Sequence, residues 1–237
     1  MTWSIIARER GTGRVGIIVA TRFFAVGARV PHIRTGVGAV ATQAFAHQAF
    51  GPRGLDLMAR GISAAETLSN LLASDDGRDH RQVHIMDAHG RFAAHTGAAC
   101  IDWCGHTMDD GFSVAGNMLA GSEVVARTAE TYRARTDLPI ARRLLAAMEA
   151  GEAAGGDKRG KQSAALLVHD DEEFPIYDIR VDDHAHPLAE LTRLHAVARE
   201  RFVHFRRRMP SRAHAAGLTD RRDLEQFVAT SIAEGYE

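Results

Sequence analysis

The residue with the most chemistry open to it is Thr2, one bond from the start of the chain. A hydroxyl is a poor nucleophile until a base takes its proton. On a terminal threonine the α-amine, with a pKa near neutrality, can be that base. Met1 stands ahead of Thr2, so this chemistry requires that Met1 leave. Thr is small enough for an aminopeptidase to trim the methionine without self-cleavage. If Met1 stays, the amine is on the wrong residue and Thr2 is a β-branched residue starting a strand.

A terminal nucleophile needs partners, and the chain offers several. Asn117 ends the run FSVAGN. An amide N–H there could donate to a developing oxyanion, a contact worth ~3 kcal/mol; the plainer role is a left-handed turn asparagine. Arg22 closes the run GIIVATR and could hold a carboxylate bidentately, or lie on the surface. Gln43, after Thr42, ends another apolar run; its amide could face the same cleft or be a satisfied strand-end group. The loop GEAAGGDKRGKQ brings Asp157, Arg159, Gln162 and Ser163 together. Its glycines let backbone approach a ligand. Asp157 could pair with Arg159 or orient the terminal amine, and Gln162 could donate to a carbonyl. Ser163 and Cys100 are alternative nucleophiles.

Metal chemistry is weaker. Cys100, Cys104 and His106 give three ligands where a structural zinc site needs four. In DDHAH (Asp182, Asp183, His184, His186), neighbours on an extended chain point opposite ways, and the aspartates fit better as a strand end and helix cap. No metal or cofactor is expected.

These residues must be positioned by strands. Trp3 to Ala7 and Val15 to Ala20 are β-branched runs around ERGTG, a hairpin pattern. Gly36 to Thr42 reads as a buried strand. From Pro52 the period becomes helical, with Leu55, Met58 and Ala59. Ser63 and Glu66 form a capping-box pattern for a second helix. Strand runs return at 82–87, 91–95, 102–108 and 112–117. Two helices follow, one from Ser122 to about Tyr132 and one with Pro139 in its first turn and Ile140, Leu144, Leu145 and Met148 along one face. Ser163 to Val168 and Pro175 to Val181 are the last strands. Leu188, Leu191, His195, Ala198, Phe202 and Phe205 stripe one long helix over 187–208, whose basic run RRR is its charged back. A final helix spans about Asp220 to Ala233. Strands in hairpins and helices in groups predict an α+β fold, a four-layer αββα sandwich of two antiparallel sheets; a two-layer α+β domain is the simpler alternative. Residues 1–210 are expected to form the domain and 211–237 a helical extension packed on it.

The 237 residues carry 29 basic and 30 acidic side chains, for a net charge of -1. That disfavours nucleic acid or an anionic membrane as partner. With 6 % aromatic residues, a base-stacking platform is also disfavoured. There is no disulfide framework, no secretory signal and no apolar run of about 18 residues. The expectation is a cytoplasmic protein acting on a small amide or peptide, forming a homo-oligomer, with a dimer favoured.

The opening TWSIIARERGTGRVGIIVATR resembles the first hairpin of the N-terminal-nucleophile hydrolases. GGDKRGKQSAALLV resembles the glycine-rich turn and strand that close the same site in proteasome-like members. With ATRFFAVG, GVGAVATQA, GPRGLDLMARG, GNMLAG and DIRVDDH, the chain over about residues 1–200 is similar to an uncharacterised bacterial and archaeal family, domain of unknown function 1028. The resemblance implies the αββα fold and an amidohydrolase reaction class with Thr2 as nucleophile, and it also picks out Gly116-Asn117. Joined to the residue readings above, the expected site is Thr2 with Asn117 and Asp157 assisting, and Arg22, Gln43, Arg159, Gln162 and Ser163 around the substrate. The lysine that proteasome-like members use has no clear counterpart here; VPHIRTG offers His32 and Arg34 instead. Catalytically silent members of such folds imply the alternative, a binding or assembly protein that keeps Met1.

Overall fold

A computed structural model describes residues 2–236. One sheet has six strands in the order β10-β9-β2-β1-β8-β7, and the other has four in the order β3-β4-β5-β6. Every pairing is antiparallel. The strands are β1 Thr2–Arg8, β2 Val15–Thr21, β3 Pro31–Arg34, β4 Gly38–Ala44, β5 Arg81–Asp87, β6 Phe92–Thr96, β7 Trp103–Asp109, β8 Phe112–Leu119, β9 Ser163–His169 and β10 Tyr177–Val181. Helices α1 (Phe50–Ala59) and α2 (Ala64–Ala73) cover the smaller sheet; α3 (Glu123–Ala134), α4 (Ile140–Ala153) and α5 (Pro187–Glu200) cover the larger. The result is the four-layer αββα sandwich.

Strand alternation divides the interior into three cores. On β1, Trp3, Ile5 and Ala7 face α3 and α4, where they meet Leu144, Met148 and Tyr132. Burying side chains of this size stabilises by about 1.5–3 kcal/mol each. Val40, Val83 and Ile85 face α1 and α2. Between the sheets, Ile6, Ile17, Val19, Ala39, Ala41 and Met86 make an apolar half-layer. The other half of that layer is polar, and it surrounds Thr2.

Local signals were kept where backbone chemistry enforces them. Ser63 and Glu66 close the expected capping box on α2. Pro139 is the residue just before α4, extended at φ -61 and ψ 154, rather than inside its first turn. The long helix over 187–208 is divided. Arg201 breaks it at φ -150 and ψ -44, and a short helix α6 (Phe202–Arg206) follows. The break changes the phase, so Val203 and His204 are buried and Phe202 is 47 % exposed. Of the basic run, Arg207 and Arg208 are exposed as expected, and Arg206 is half-buried. Arg206 pairs with Asp170 at 2.8 Å, while Arg207 lies over the Tyr236 ring and Arg208 over the Phe227 ring. Arg207, which donates to Ser231 at 2.8 Å, and Arg208 hold the last helix, α7 (Arg221–Ala233), with help from a His204–Ser231 hydrogen bond of 2.8 Å. Asp182 and Asp183 do not cap α5: its N-cap is His186, without a side-chain bond, and Asp183 instead accepts from Gln162.

Candidate active site

A cavity of about 470 Å³ opens at the end of the sandwich where β1 begins. Its floor is made by strand ends: Thr2 of β1, Thr21 of β2, Gln43 of β4 and Asn117 of β8. Its walls come from connectors. The β2–β3 connector gives Phe23, Val26 and Arg29; the stretch after β4 gives Phe45; the stretch before β7 gives Cys100 and Ile101. Arg159 reaches in from the glycine loop.

Pairing explains the floor. In the sheet register Thr2 lies opposite Thr21 on one side and Asn117 on the other. All three point into the layer between the sheets. Thr2 Oγ1 donates to Thr21 Oγ1 at 3.1 Å, and Thr2 is 8 % exposed.

Behind Thr2 runs a buried chain of amides and hydroxyls. Gln82 Nε2 donates to the backbone carbonyls of Gly116 (2.7 Å) and Gly105 (3.1 Å). Those carbonyls fix which end of the Gln82 amide is nitrogen. Its Oε1 therefore faces Asn117 and Gln43, and it accepts from Asn117 Nδ2 and Gln43 Nε2, each at 2.9 Å. Asn117 Nδ2 also donates to the Thr2 carbonyl at 3.3 Å, and Gln43 Nε2 approaches that carbonyl at 3.5 Å. Both hydrogens of the Asn117 amide are thus engaged inside the protein. Among the described residues, its buried Oδ1 has no hydrogen-bond partner.

The chain continues to His84. Ser4 donates its only hydroxyl proton to Gln43 Oε1 at 2.7 Å. His84 Nε2, 2.8 Å from Ser4 Oγ, must then be the N–H, and Nδ1 accepts from Ser113 Oγ at 3.0 Å. Burial pushes the His84 pKa down to about 3, so the ring is neutral at pH 7.

Backbone strain concentrates here. Among the described residues, four non-glycines have positive φ: Ala25, Ala44, Asp102 and Met118. Ala44 and Met118 line the cavity, and Ala25 and Asp102 each adjoin a lining residue. Such conformations cost about 1–3 kcal/mol each and cluster at functional sites. At Met118 the left-handed turn falls one residue after Asn117, so Asn117 itself is regular strand and not the turn asparagine.

A model of the family described as "Family of unknown function (DUF1028)" matches residues 2–191. The chain belongs to the DUF1028 family. The match includes both sheets, the cavity and the buried amide chain, and ends within α5. The crystal structure of protein SPO2555 from Silicibacter pomeroyi, described as a DUF1028 family member, is 31% identical over 92% of this chain and 99% of its own, with a TM-score of 0.85. Anbu (ancestral beta-subunit) from Yersinia bercovieri is 10% identical over 83% of this chain and 94% of its own, with a TM-score of 0.42. An Anbu (Gly-1) mutant from Hyphomicrobium sp. strain MC1 is 12% identical over 84% of this chain and 96% of its own, also at 0.42. No curated protein matches the chain.

In this DUF1028 fold, five of the residues singled out in the sequence meet at the cavity: Thr2, Gln43, Cys100, Asn117 and Arg159. The other four lie behind its wall. Asp157 is buried and accepts from the backbone N–H of Arg22 (2.7 Å) and Arg159 (2.8 Å), and it pairs with the Arg159 guanidinium at 3.3 Å. Gly155, Gly156 and Gly160 have positive φ, which lets the loop double back around this carboxylate. Arg22 points outward to Gln162 Oε1 at 2.9 Å, and Gln162 Nε2 bonds Asp183 at 3.0 Å. Ser163 is fully buried; its hydroxyl donates to the Phe23 carbonyl and accepts from Val26 N–H. His32 and Arg34 are also elsewhere: His32 packs under Gly51, and Arg34 pairs with Asp56 at 2.9 Å. Cys104 Sγ donates to the Cys100 carbonyl and His106 bonds Thr96, so these side chains serve local structure. Burial pushes the Cys100 thiol pKa up, which suppresses its thiolate.

The residues missed in the sequence are Ser4, Gln82, His84 and Ser113, Thr21 beside Thr2, and the wall with Arg29. A signal for the first group existed. Gln82 and His84 alternate with Val83 and Ile85, which marks one face of an apolar strand as polar.

Proposed function

We propose that this chain is an amide-cleaving hydrolase of the N-terminal-nucleophile kind, with Thr2 as nucleophile once Met1 has been removed. The observation that carries the reading is the Thr2 hydroxyl, held by Thr21 in the floor of the cavity at the start of the central strand. Thr2 Oγ attacks the amide carbon as its proton passes to the freed α-amine. The tetrahedral intermediate collapses with the C–N bond breaking, and the leaving amine takes that proton. Water then hydrolyses the threonyl ester, releasing the acid and restoring the hydroxyl.

The remaining residues have positioning roles in this reading. Asn117 and Gln43 hold the Thr2 carbonyl, which fixes the strand end. With both Asn117 hydrogens engaged, the developing oxyanion is assigned to backbone N–H groups. Asp157 secures Arg159 in the cavity lining. Arg22, Gln162 and Ser163 brace the two loops that form the wall.

A second reading is a binding protein on the same fold that keeps Met1. The observation favouring it is that the amide donors beside Thr2 are already satisfied within the protein. One experiment separates the two. Intact mass is measured on protein from the native host, and chain beginning at Thr2 is treated with a β-lactone and an amide panel. A Thr2 adduct and hydrolysis that disappears in Thr2→Ala are expected. Quantitative retention of Met1, or full activity in Thr2→Ala, overturns the hydrolase.

A further inference from the structure

We propose that the cavity selects an amphipathic monoanion: an apolar acyl or aryl body joined to a carboxylate, of which an N-acyl amino acid is the amide form. The amide cleavage rests on the hydrolase reading above; the binding preference does not.

Shape and polarity point to the apolar part. Phe23, Phe45 and Ile101 stand at the wall 55, 76 and 60 % exposed. Large apolar side chains held in water around one concavity mark a binding surface. Val26, Val30 and Met118 continue the surface inward. The polar floor offers little competition, since the Gln43 and Asn117 nitrogens already donate to protein acceptors.

Charge supplies the other part. Among the described residues the cavity lining contains no aspartate or glutamate, and its two charged side chains are Arg29 and Arg159. Arg159 is matched by Asp157. Arg29 has its guanidinium over the Phe23 ring at 5.7 Å, and among the described residues no carboxylate pairs with it. One unmatched cation beside an apolar wall balances a monoanion better than a phosphate dianion. A guanidinium also meets a carboxylate through two parallel hydrogen bonds.

The connector that carries Phe23 and Arg29 is preorganised. Ser163 holds both the Phe23 carbonyl and the Val26 N–H, and Ala25 N–H donates to the Asp182 carbonyl at 3.0 Å. Gly27 packs so tightly on β9 that a Cβ there would lie 2.6 Å from the Ala165 Cβ. The backbone that carries the aromatic and the cation is therefore set in place before a ligand arrives, which lowers the ordering cost of binding.

The test is calorimetry on full-length Thr2→Ala protein, which binds without turnover. The probes are N-octanoylglycine, its uncharged amide N-octanoylglycinamide, and N-acetylglycine. N-Octanoylglycine is expected to bind at least about tenfold tighter than either of the others. Arg29→Gln, at an exposed position, should lose about tenfold for N-octanoylglycine and leave N-octanoylglycinamide unchanged. Equal affinity for all three, no binding of N-octanoylglycine, or an equal effect of Arg29→Gln on both octanoyl probes overturns the proposal. So does a dimer that Phe45→Ser dissociates without weakening N-octanoylglycine, because the aromatic wall is then an interface between copies. Tight binding of N-octanoylglycine with no cleavage by chain beginning at Thr2 overturns the hydrolase and leaves the selectivity standing. Equal cleavage of N-acetylglycine does the reverse.

Discussion

Asn117 Nδ2 donates to Gln82 Oε1 at 2.9 Å, and Gln82 cannot rotate away, because its own nitrogen is held by the Gly105 and Gly116 carbonyls. Two backbone carbonyls thus set the orientation of an amide one residue removed. Asn117→Asp places an acceptor against Gln82 Oε1 and the Thr2 carbonyl. Leaving buried groups unsatisfied costs about 1–3 kcal/mol, and more when a charge is involved. Urea unfolding at pH 7 should show Asn117→Asp less stable by ~3 kcal/mol, and Asn117→Ala less affected. Equal stability of Asn117→Asp and the parent means that the amide sits the other way round.

Thr2→Val removes one oxygen and keeps the β-branched shape that strand β1 favours. It loses the hydroxyl bond to Thr21, which on its own should change stability by ~1 kcal/mol. Activity of chain beginning at residue 2 should fall by at least ~10⁴-fold, as expected when a nucleophile is deleted, while Thr2→Ser keeps a measurable fraction. The comparison is made as kcat/KM on one amide. Comparable rates for Thr2→Val and Thr2→Ser remove Thr2 from the chemistry.

The layers were legible in the sequence because each rests on a local rule. Val15 to Ala20 alternates or clusters as strands do, Ser63 and Glu66 cap a helix, and Leu144 and Met148 mark a helical face. The far partner of Thr2 was also legible in part, since the strand run FSVAGN reaches Asn117, which pairs with Thr2 in the register of β8 on β1. The direction of the Asn117 amide was not legible. It depends on Gln82, which in turn depends on carbonyls of β7 and β8, and no local pattern encodes three-body contacts. The cavity wall failed for a different reason. Phe23, Phe45 and Ile101 lie in connectors, where exposed apolar residues have no periodicity to read. The split at Arg201 was hidden because Phe202 and Phe205 fit a continuous helical stripe that the backbone does not follow.

His84 makes the fold acid-sensitive in a defined window. Its pKa is about 3 in the folded chain against about 6.5 for a solvated histidine. His195 is lowered in the same direction, to about 4, by burial first and then by nearby arginines. Below pH 6.5 the unfolded chain takes up protons that the folded chain refuses, so acid favours unfolding. Each such histidine contributes a stability loss of ~1.4 kcal/mol per pH unit until its folded pKa is reached. His84→Leu is less stable at pH 7, because Ser113 loses its acceptor. Its stability should nevertheless fall less steeply than that of the parent between pH 6.5 and 4, measured by urea unfolding. Parallel pH profiles mean that His84 is not the neutral buried ring.

Asp157 makes the glycine loop and the end of β2 into one piece. Its two oxygens take the Arg22 and Arg159 backbone N–H groups, and its side chain is 1% exposed. Arg159 is 39% exposed, so the ion pair itself is partly screened and the backbone bonds carry more of the effect. Asp157→Asn keeps one acceptor oxygen but turns an N–H toward a backbone N–H, which leaves that donor unpaired. Asp157→Ala loses both bonds and should cost ~2–3 kcal/mol. Amide hydrogen exchange gives the specific readout. Arg22 and Arg159 N–H should lose protection in Asp157→Ala while β1 and β8 keep theirs. If affinity for N-octanoylglycine also falls in that variant, Arg159 contributes to the cavity through its anchor. If exchange at Arg22 is unchanged, the loop is held by the Arg22–Gln162 and Gln162–Asp183 contacts instead, and Asp157 is secondary.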